Sequence, residues 1–495
     1  VPPARDLIFV VLLLSICFGS LAERVLRDGG TGWHIRTGQR ILATHTIPRT
    51  DPFSLSNAGK PWYAWEWLYE AALGAIYNHT GLNGAVAATG LVVALTFAWL
   101  FSTMRQRGTD LFTAVVLLLL ALAASAIHLY VRPHIVSWLL TFAWWFLLER
   151  ARRDDNPRIL IALPFVMVLW VNVHGGFLFG FALLAVYVVD AVIRYQRERN
   201  EGSRRWVGYV LLALIVCAIA TLVNPYGIEL HKHIYQYLND PFLMHHIQEF
   251  QAPDFRDFSP LCLVALLILA SAGIAFSSRK PPLRDFLVLA LAAWAGFYAS
   301  RNLPISSMLI AVVAGPQISR AWQERRSRTS GERPSGNVVE RLDVRDSSLP
   351  GGFWPAVAIL LILWTVTHGG DLGRIKVMDA QFDSARFPVS AVDYVQSSGL
   401  SQPLFTIDQW GGYLIYRDYP ALLVDDRHDL YGDEFFKQYL KIVKVEPGWQ
   451  EALDQTKAQL VLVPVRVPLT AALEANSNWK EQYHDAVAAL FERVD

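Results

Sequence analysis

The chain has 495 residues, 53% of them hydrophobic, with a mean hydropathy of +0.29. That is too apolar for an ordinary water-soluble enzyme, and a net charge of +1 offers no footing for nucleic-acid binding. Cys17, Cys217 and Cys262 each fall inside an apolar run, so neither a disulfide framework nor a zinc site is expected.

A hydrocarbon core of roughly 30 Å needs about 20 apolar residues per helix. Runs near that length occur at 6–23, 82–104, 110–129, 134–149, 158–173, 176–193, 206–223, 259–278, 285–300, 303–319 and 352–368, about eleven spans in all. The first has no small-residue cleavage site after Ser20 and reads as a retained helix. Basic residues collect in every second connection: Arg105 and Arg107; Arg150, Arg152, Arg153 and Arg158; Arg194 to Arg205; Arg279 to Arg284; and the Arg-rich stretch after 320. The excess of Lys and Arg on cytoplasmic loops then places the N-terminus in the cytoplasm and the C-terminus outside, in a bacterial inner membrane. The expected fold is an α-helical polytopic membrane domain over 1–368, with a long outer loop at 24–81 and a flexible cytoplasmic linker at 320–350. A C-terminal extracytoplasmic α/β domain over 369–495 follows. In it, apolar bursts at 404–407, 421–424 and 460–465 alternate with helical stretches near 388–397, 433–445 and 449–457.

Polar motifs gather on the outer connections. The first loop opens Arg27-Asp28-Gly29-Gly30-Thr31-Gly32-Trp33-His34-Ile35-Arg36. Asp28, flanked by glycines and near His34 and Arg36, suits a general base beside a bound phosphate, and it equally suits the cap of a helix starting near Thr31. Apolar residues from Trp62 to Tyr77 recur at helical spacing, which predicts an interfacial helix carrying Glu66, either among aromatics or on a solvated face. Arg132-Pro133-His134, Asn172-Val173-His174-Gly175-Gly176, Asn224-Pro225-Tyr226-Gly227 and Arg301-Asn302-Leu303-Pro304 sit at outer helix ends. Arg132, His174 and Arg301 would ring an outer-facing cavity suited to a phosphate headgroup. Any one of the outer histidines also serves as a helix-end hydrogen bond. His231-Lys232-His233 and His245-His246 give only a weak metal signal. In the tail, Asp408 to Leu414 and Asp425 to Gly432 are the polar clusters, the second following a buried-looking strand where α/β domains place binding loops.

This arrangement resembles the GT-C superfamily of membrane glycosyltransferases: a long first outer loop with an acid just after span one, many spans, and an outer C-terminal domain. The string from Asp28 through Trp65-Glu66-Trp67, His174-Gly175-Gly176 and Trp410-Gly411-Gly412-Tyr413 to Asp426-Arg427 is also similar to a group of bacterial polytopic membrane proteins. The resemblance implies transfer of a sugar from a polyprenyl-phosphate carrier to an extracytoplasmic acceptor. Asp28 matches the superfamily's first-loop catalytic acid and would deprotonate the acceptor, with Glu66 orienting the acceptor or a metal. His34, Arg36, Arg132, His174 and Arg301 would bind substrate. Trp410-Gly411-Gly412-Tyr413 lacks the central Asp of the oligosaccharyltransferase acceptor motif, and Asp254 and Asp257 are the nearest approach to an Asp-x-Asp pair, which leaves a divalent metal open. A lipid flippase or transporter, and a non-catalytic membrane subunit, are the alternatives. The last of these expects Asp28, Glu66 and the Arg/His ring to lie apart.

Overall fold

The computed structural model describes residues 2–330, 346 and 349–494. The chain is a multi-pass membrane protein, mostly helical, with a small C-terminal sheet domain. Each apolar run lies on a helix. Among the described residues, six are long and apolar enough to cross a membrane: Trp67–Gln106, Leu111–His128, Phe177–Glu198, Glu201–Ala220, Phe258–Phe276 and Ser300–Arg326. Pro157–Val171 and Phe353–Thr367 are shorter apolar helices. Local chemistry starts several of them: Asp110 accepts from the Thr113 N–H at 3.0 Å and Asn200 from the Ser203 N–H at 2.7 Å, satisfying first-turn donors. The first run is broken by Phe18 in extended geometry and Gly19 at φ 82°, leaving helices Ala4–Cys17 and Ser20–Val25. Large apolar side chains such as Phe112, Leu119, Phe165, Ile219 and Phe276 point outward, as lipid contact requires.

The connections sort between the two ends of the bundle as the charge pattern implies. At one end Arg107 pairs with Glu149 and Asp285, Arg284 with Glu149, and Arg152 with Asp190. The other end carries the first loop, the turns at 132–134, 172–176, 224–227 and 301–304, and the sheet domain. There the indole of Trp67 donates to Asn172, Tyr226 donates to the Pro48 carbonyl, and Arg132 meets Asp28.

Three local expectations are revised. Trp62–Tyr77 is not a separate interfacial helix. A helix starts at Trp67 and runs to Gln106 across a break at Gly81 (φ 62°), while Trp62 is buried against Trp33. Ala421–Val424 is an extended segment and not a full strand; it bridges Leu404 on one side and Ser54 on the other through Leu422. Helix Leu303–Ser330 continues into the stretch expected as a linker, and most of the rest of 320–350 lies outside the described residues.

The sheet has the order Leu404–Thr406, Leu460–Pro464, Ala488–Arg493, Trp479–His484, the first pair parallel and the others antiparallel. The closing hairpin, Trp479–His484 with Ala488–Arg493, lies outside the apolar bursts that mark the tail's expected elements. Its outer strand is half solvated and carries little apolar alternation.

Two of the joins between the first loop and the sheet domain fix their spacing. Helix Gly30–Thr44 crosses helix Asp408–Tyr416 through glycines: a Cβ on Gly32 would lie 2.1 Å from the Gly412 carbonyl, and one on Gly412 2.2 Å from that of Gly29. Trp410-Gly411-Gly412-Tyr413 is thus a helix-crossing surface. The second join is a buried charge. Arg427, 2% exposed, forks onto Asp425 at 2.9 and 2.7 Å and donates to Asp51 of the first loop at 2.7 Å. Its guanidinium also lies over the rings of Trp62 and Phe53, and Asp51 in turn accepts from the Phe53 and Ser54 N–H groups.

Arg427→Met is expected to cost about 3–5 kcal/mol, because it leaves two carboxylates buried without their partner. Thermal unfolding in detergent measures this. Hydrogen exchange should rise together at 51–56 and 422–428, and Arg427→Lys should restore only part of the loss, since an ammonium cannot reproduce the fork.

Candidate functional site

Asp28 ends the turn that launches helix Gly30–Thr44. Its Oδ1 accepts from the Gly30 N–H at 2.8 Å, and its Oδ2 accepts from Arg132 at 3.2 Å. The helix-end acceptor read from the sequence is thus present, and the same side chain also pairs with an arginine from another turn. A third group reaches the same spot from the sheet domain. A Cβ placed on Gly30 would stand 2.9 Å from Asp28 Oδ1, 2.9 Å from Asp426 Oδ2 and 3.2 Å from Arg132 Cζ. Asp426 is held there by the Trp33 indole N–H, which donates to its Oδ1 at 3.0 Å. Asp28, Arg132 and Asp426 all remain partly open to solvent.

Beside this cluster lies a second, drier one. Glu66, 8% exposed, faces His34 Nε2 and His174 Nε2, each at 3.7 Å. His174 Nδ1 accepts from the Gly176 N–H at 3.0 Å and meets the Ser137 hydroxyl at 2.8 Å, so its ring proton sits on Nε2, toward Glu66. His34 is fully buried and shares Nδ1 with Glu70 at 3.1 Å; its Nε2 has no hydrogen-bond partner among the described residues. Arg301 lies over the Phe250 ring, 3.7 Å from Glu249.

Burial and nearby cations compete over these carboxyls, and the winner differs by position. Burial pushes Glu66 up to about 8, against the pull of Arg132. Burial also lifts Asp426, to about 7, opposed by Arg132 and helped by the charges of Asp28 and Asp425. At Glu249 burial acts in the same sense, but Arg301 and Arg132 overcome it and hold the carboxyl down at about 2. His34 and His174 are driven well below the usual imidazole range, first by burial and then by Arg132 and Arg301 respectively. At neutral pH the site thus combines two arginines, two neutral imidazoles, an ionised Glu249 and a protonated Glu66.

The structure brings Asp28, Glu66, His34, Arg132, His174 and Arg301 to one end of the bundle within reach of each other's fields. Arg36 is placed elsewhere: it donates to the Tyr416 carbonyl at 3.0 Å and pairs with Asp418, tying the loop helix to the sheet domain. His231, His245 and His246 contact local backbone carbonyls, and His233 pairs with Asp429 while stacking on Tyr63. Asp254 is forked by Arg256 on the surface and Asp257 precedes helix Phe258–Phe276. Arg132 occupies Asp28 Oδ2 and the Trp33 N–H occupies Asp426 Oδ1, which leaves Asp28 Oδ1 and Asp426 Oδ2 facing one spot beside Gly30. Among the described residues, three possible ligands with closely spaced atoms occur at Glu474, Glu481 and His484, all exposed on the sheet domain.

Sequence reasoning passed over Glu70, Ser137 and Glu249, and it did not connect Trp33 or Asp426 to Asp28. One signal was available for Glu70: it stands four residues after Glu66 on a helix otherwise apolar on that face.

No family model and no curated protein matches the sequence. Solved structures do. ArnT from Cupriavidus metallidurans, bound to undecaprenyl phosphate, is similar at a TM-score of 0.52 and 13% identity, over 99% of this chain and 98% of that one. The oligosaccharyltransferase AglB from Archaeoglobus fulgidus, in complex with an inhibitory peptide and a dolichol-phosphate, is similar at a TM-score of 0.54 and 10% identity, over 93% of this chain and 69% of that one. The same archaeal enzyme tethered to an acceptor peptide gives 0.53 and 10%, over 99% and 73%. With nearly all of the helical bundle and the sheet domain covered, the chain shares the fold of ArnT and of the archaeal oligosaccharyltransferase.

Proposed function

We propose that this protein transfers a sugar from a polyprenyl-phosphate carrier to a hydroxyl acceptor at the extracytoplasmic face of a bacterial inner membrane. The orientation rests on the basic connections, which gather at the end opposite the site. The observation that carries the reading is the convergence of Asp28, Arg132 and Asp426 beside Arg301 and a neutral His174, in a fold shared with a protein bound to undecaprenyl phosphate. A non-catalytic subunit gives no reason for these groups to meet; Arg132 pairs with Asp28 while its field reaches Glu66 and Glu249.

The chemistry follows from the charges. Arg132 and Arg301, with the His174 Nε2–H, bind the lipid phosphate and stabilise the charge that grows on it as the anomeric bond breaks. The acceptor hydroxyl lies on the carboxylate side of the cluster, which takes its proton as the new bond forms on the face opposite the phosphate. Glu66, protonated between two imidazoles, orients the acceptor as a neutral hydrogen-bonding group. His34 and Glu70 position Glu66 from behind, and Arg36 holds the loop helix against the sheet domain. No step here is assigned to a metal.

Asp28→Asn is expected to leave the protein folded and inserted while lowering transfer by about 100-fold or more. The assay follows labelled sugar from a panel of undecaprenyl-phosphate hexoses in vesicles; near wild-type transfer would remove Asp28 from the mechanism. Arg301→Ala should weaken binding of undecaprenyl phosphate itself, measured by native mass spectrometry. Glu66 supplies a pH dependence. Its carboxyl ionises near 4.5 when free and near 8 in the folded protein, so the stability held by its protonated form is full at low pH and is lost as pH rises between those values. The advantage of Glu66→Gln over wild type in thermal unfolding should therefore grow across that window and level off above it; a constant difference would show that Glu66 does not titrate there.

A further inference from the structure

Asp28 has a donor on each carboxylate oxygen, the Gly30 N–H on one and Arg132 on the other. Asp426 does not. Its Oδ1 accepts from Trp33, while its Oδ2 has no hydrogen-bond partner among the described residues and points to the same spot beside Gly30 as Asp28 Oδ1. A proton acceptor needs a lone pair that is free, oriented and reachable. In the Asp28–Arg132–Asp426 cluster, Oδ2 of Asp426 is the carboxylate oxygen with no donor on it among the described residues.

We propose that Asp426, carried by the C-terminal domain, is the proton acceptor in the transfer, and that Asp28 works beside it by holding Arg132 and by its negative charge. This rests on the glycosyl-transfer reading and divides its labour between the two carboxylates. In the step, the acceptor O–H bond breaks and its proton goes to Asp426 Oδ2. The freed electron pair forms the bond from the acceptor oxygen to the anomeric carbon. The anomeric C–O bond to phosphate breaks, and its electron pair leaves with the lipid phosphate. Asp426 then returns its proton to solvent, to which it is partly open.

The surroundings tune this base. Arg132 faces Asp426 from one turn, Asp28 and Trp33 from the first loop, and Asp425 and His428 from its own segment. Burial and the charges of Asp28 and Asp425 outweigh Arg132 and put its carboxyl at about 7, where a general base is partly ionised and still binds a proton well. The backbone supports its placement. Arg427, the next residue, is locked onto Asp425 and Asp51, so the Asp426 side chain is aimed by neighbours that cannot rotate away. The C-terminal domain is in this sense part of the active site.

The discriminating variant is Asp426→Asn, whose amide oxygen can still accept from the Trp33 indole but whose side chain cannot take up the acceptor's proton. Transfer is expected to fall by about 100-fold in kcat with KM little changed, and with undecaprenyl phosphate binding intact. The acid limb of the wild-type pH profile should move to lower pH in the residual transfer of Asp28→Asn, because removing that charge and freeing Arg132 both favour ionised Asp426. A merely structural role for Asp426 moves neither. A second readout needs no turnover: a hydrophobic carbodiimide, which modifies protonated carboxyls, is applied to the full chain in detergent and mapped by mass spectrometry. Asp426 should label at about pH 6, lose labelling by about pH 8.5, and label less in Asp28→Asn at about pH 7. Transfer by Asp426→Asn within about threefold of wild type, or an Asp426 that does not label at about pH 6, overturns the proposal. If the wild-type chain transfers nothing from any donor while Asp426 labels as stated, the glycosyl-transfer reading fails and the titrating carboxyl is still Asp426.

Discussion

The site exists because one guanidinium is shared between two distant parts of the chain. Arg427 is closed off from water, and a cation in that position is tolerable only with its charge met and its donors filled. Asp425 meets it from two residues earlier in the same segment and Asp51 from the first loop, and Trp62 and Phe53 cover its faces. Once that pair is closed, the neighbouring Asp426 has little freedom left. It faces Trp33, and through Trp33 the helix that follows Asp28. The glycine crossing of Gly32 on Gly412 sets the distance between the same two pieces, since any side chain there would push them apart. The buried ion pair specifies an arrangement more than it supplies net stability, as a well-packed apolar replacement would serve stability as well.

The same end of the molecule sorts its carboxyls by how far burial outruns the arginines. Glu249 sits in the fields of Arg301 and Arg132 and stays ionised. Glu66 lies deeper, between imidazoles that are themselves neutral, and keeps its proton to about 8. Asp426 is raised as well, by burial and by the charges of Asp28 and Asp425, against the pull of Arg132. Groups of one chemical type thereby take distinct protonation states within one site, which is the condition for dividing acid–base work among them. Arg132 is common to all three, so the sorting depends on where the first loop and the domain place each carboxyl around it.

Particular residues show where sequence reasoning reached and where it stopped. Asp28 stands out in the sequence because it follows the first apolar run and sits among glycines, and the structure puts it against Arg132. Arg36, three residues beyond Trp33 on the same helix, faces Tyr416 and Asp418. Nothing in its local pattern separates it from a phosphate ligand until the domain that covers that face is known. Trp62 has the spacing of an interfacial anchor, yet it packs on Trp33 and Arg427, because a cation–π contact across the loop replaces the lipid surface. Asp425-Asp426-Arg427 was visible as a polar cluster, but its three members do different things: one is a buried counter-ion, one is exposed to the site, and one is the clamp.

What the sequence alone determined is the part written in one dimension. Apolar runs of membrane length, the alternation of basic connections, and a tail with short apolar bursts specify a helical membrane bundle, which connections share an end, and a small sheet domain, because each depends on solvent preference along a few neighbouring residues. Only the tertiary structure decided which of the polar groups at that end belong together. Asp28 and Asp426 are separated by most of the chain and meet through a buried arginine and a pair of glycine-lined helices, contacts whose energy depends on closing long loops around a particular partner. That closure leaves no periodic mark in the sequence, and it is what gives the site its second carboxylate.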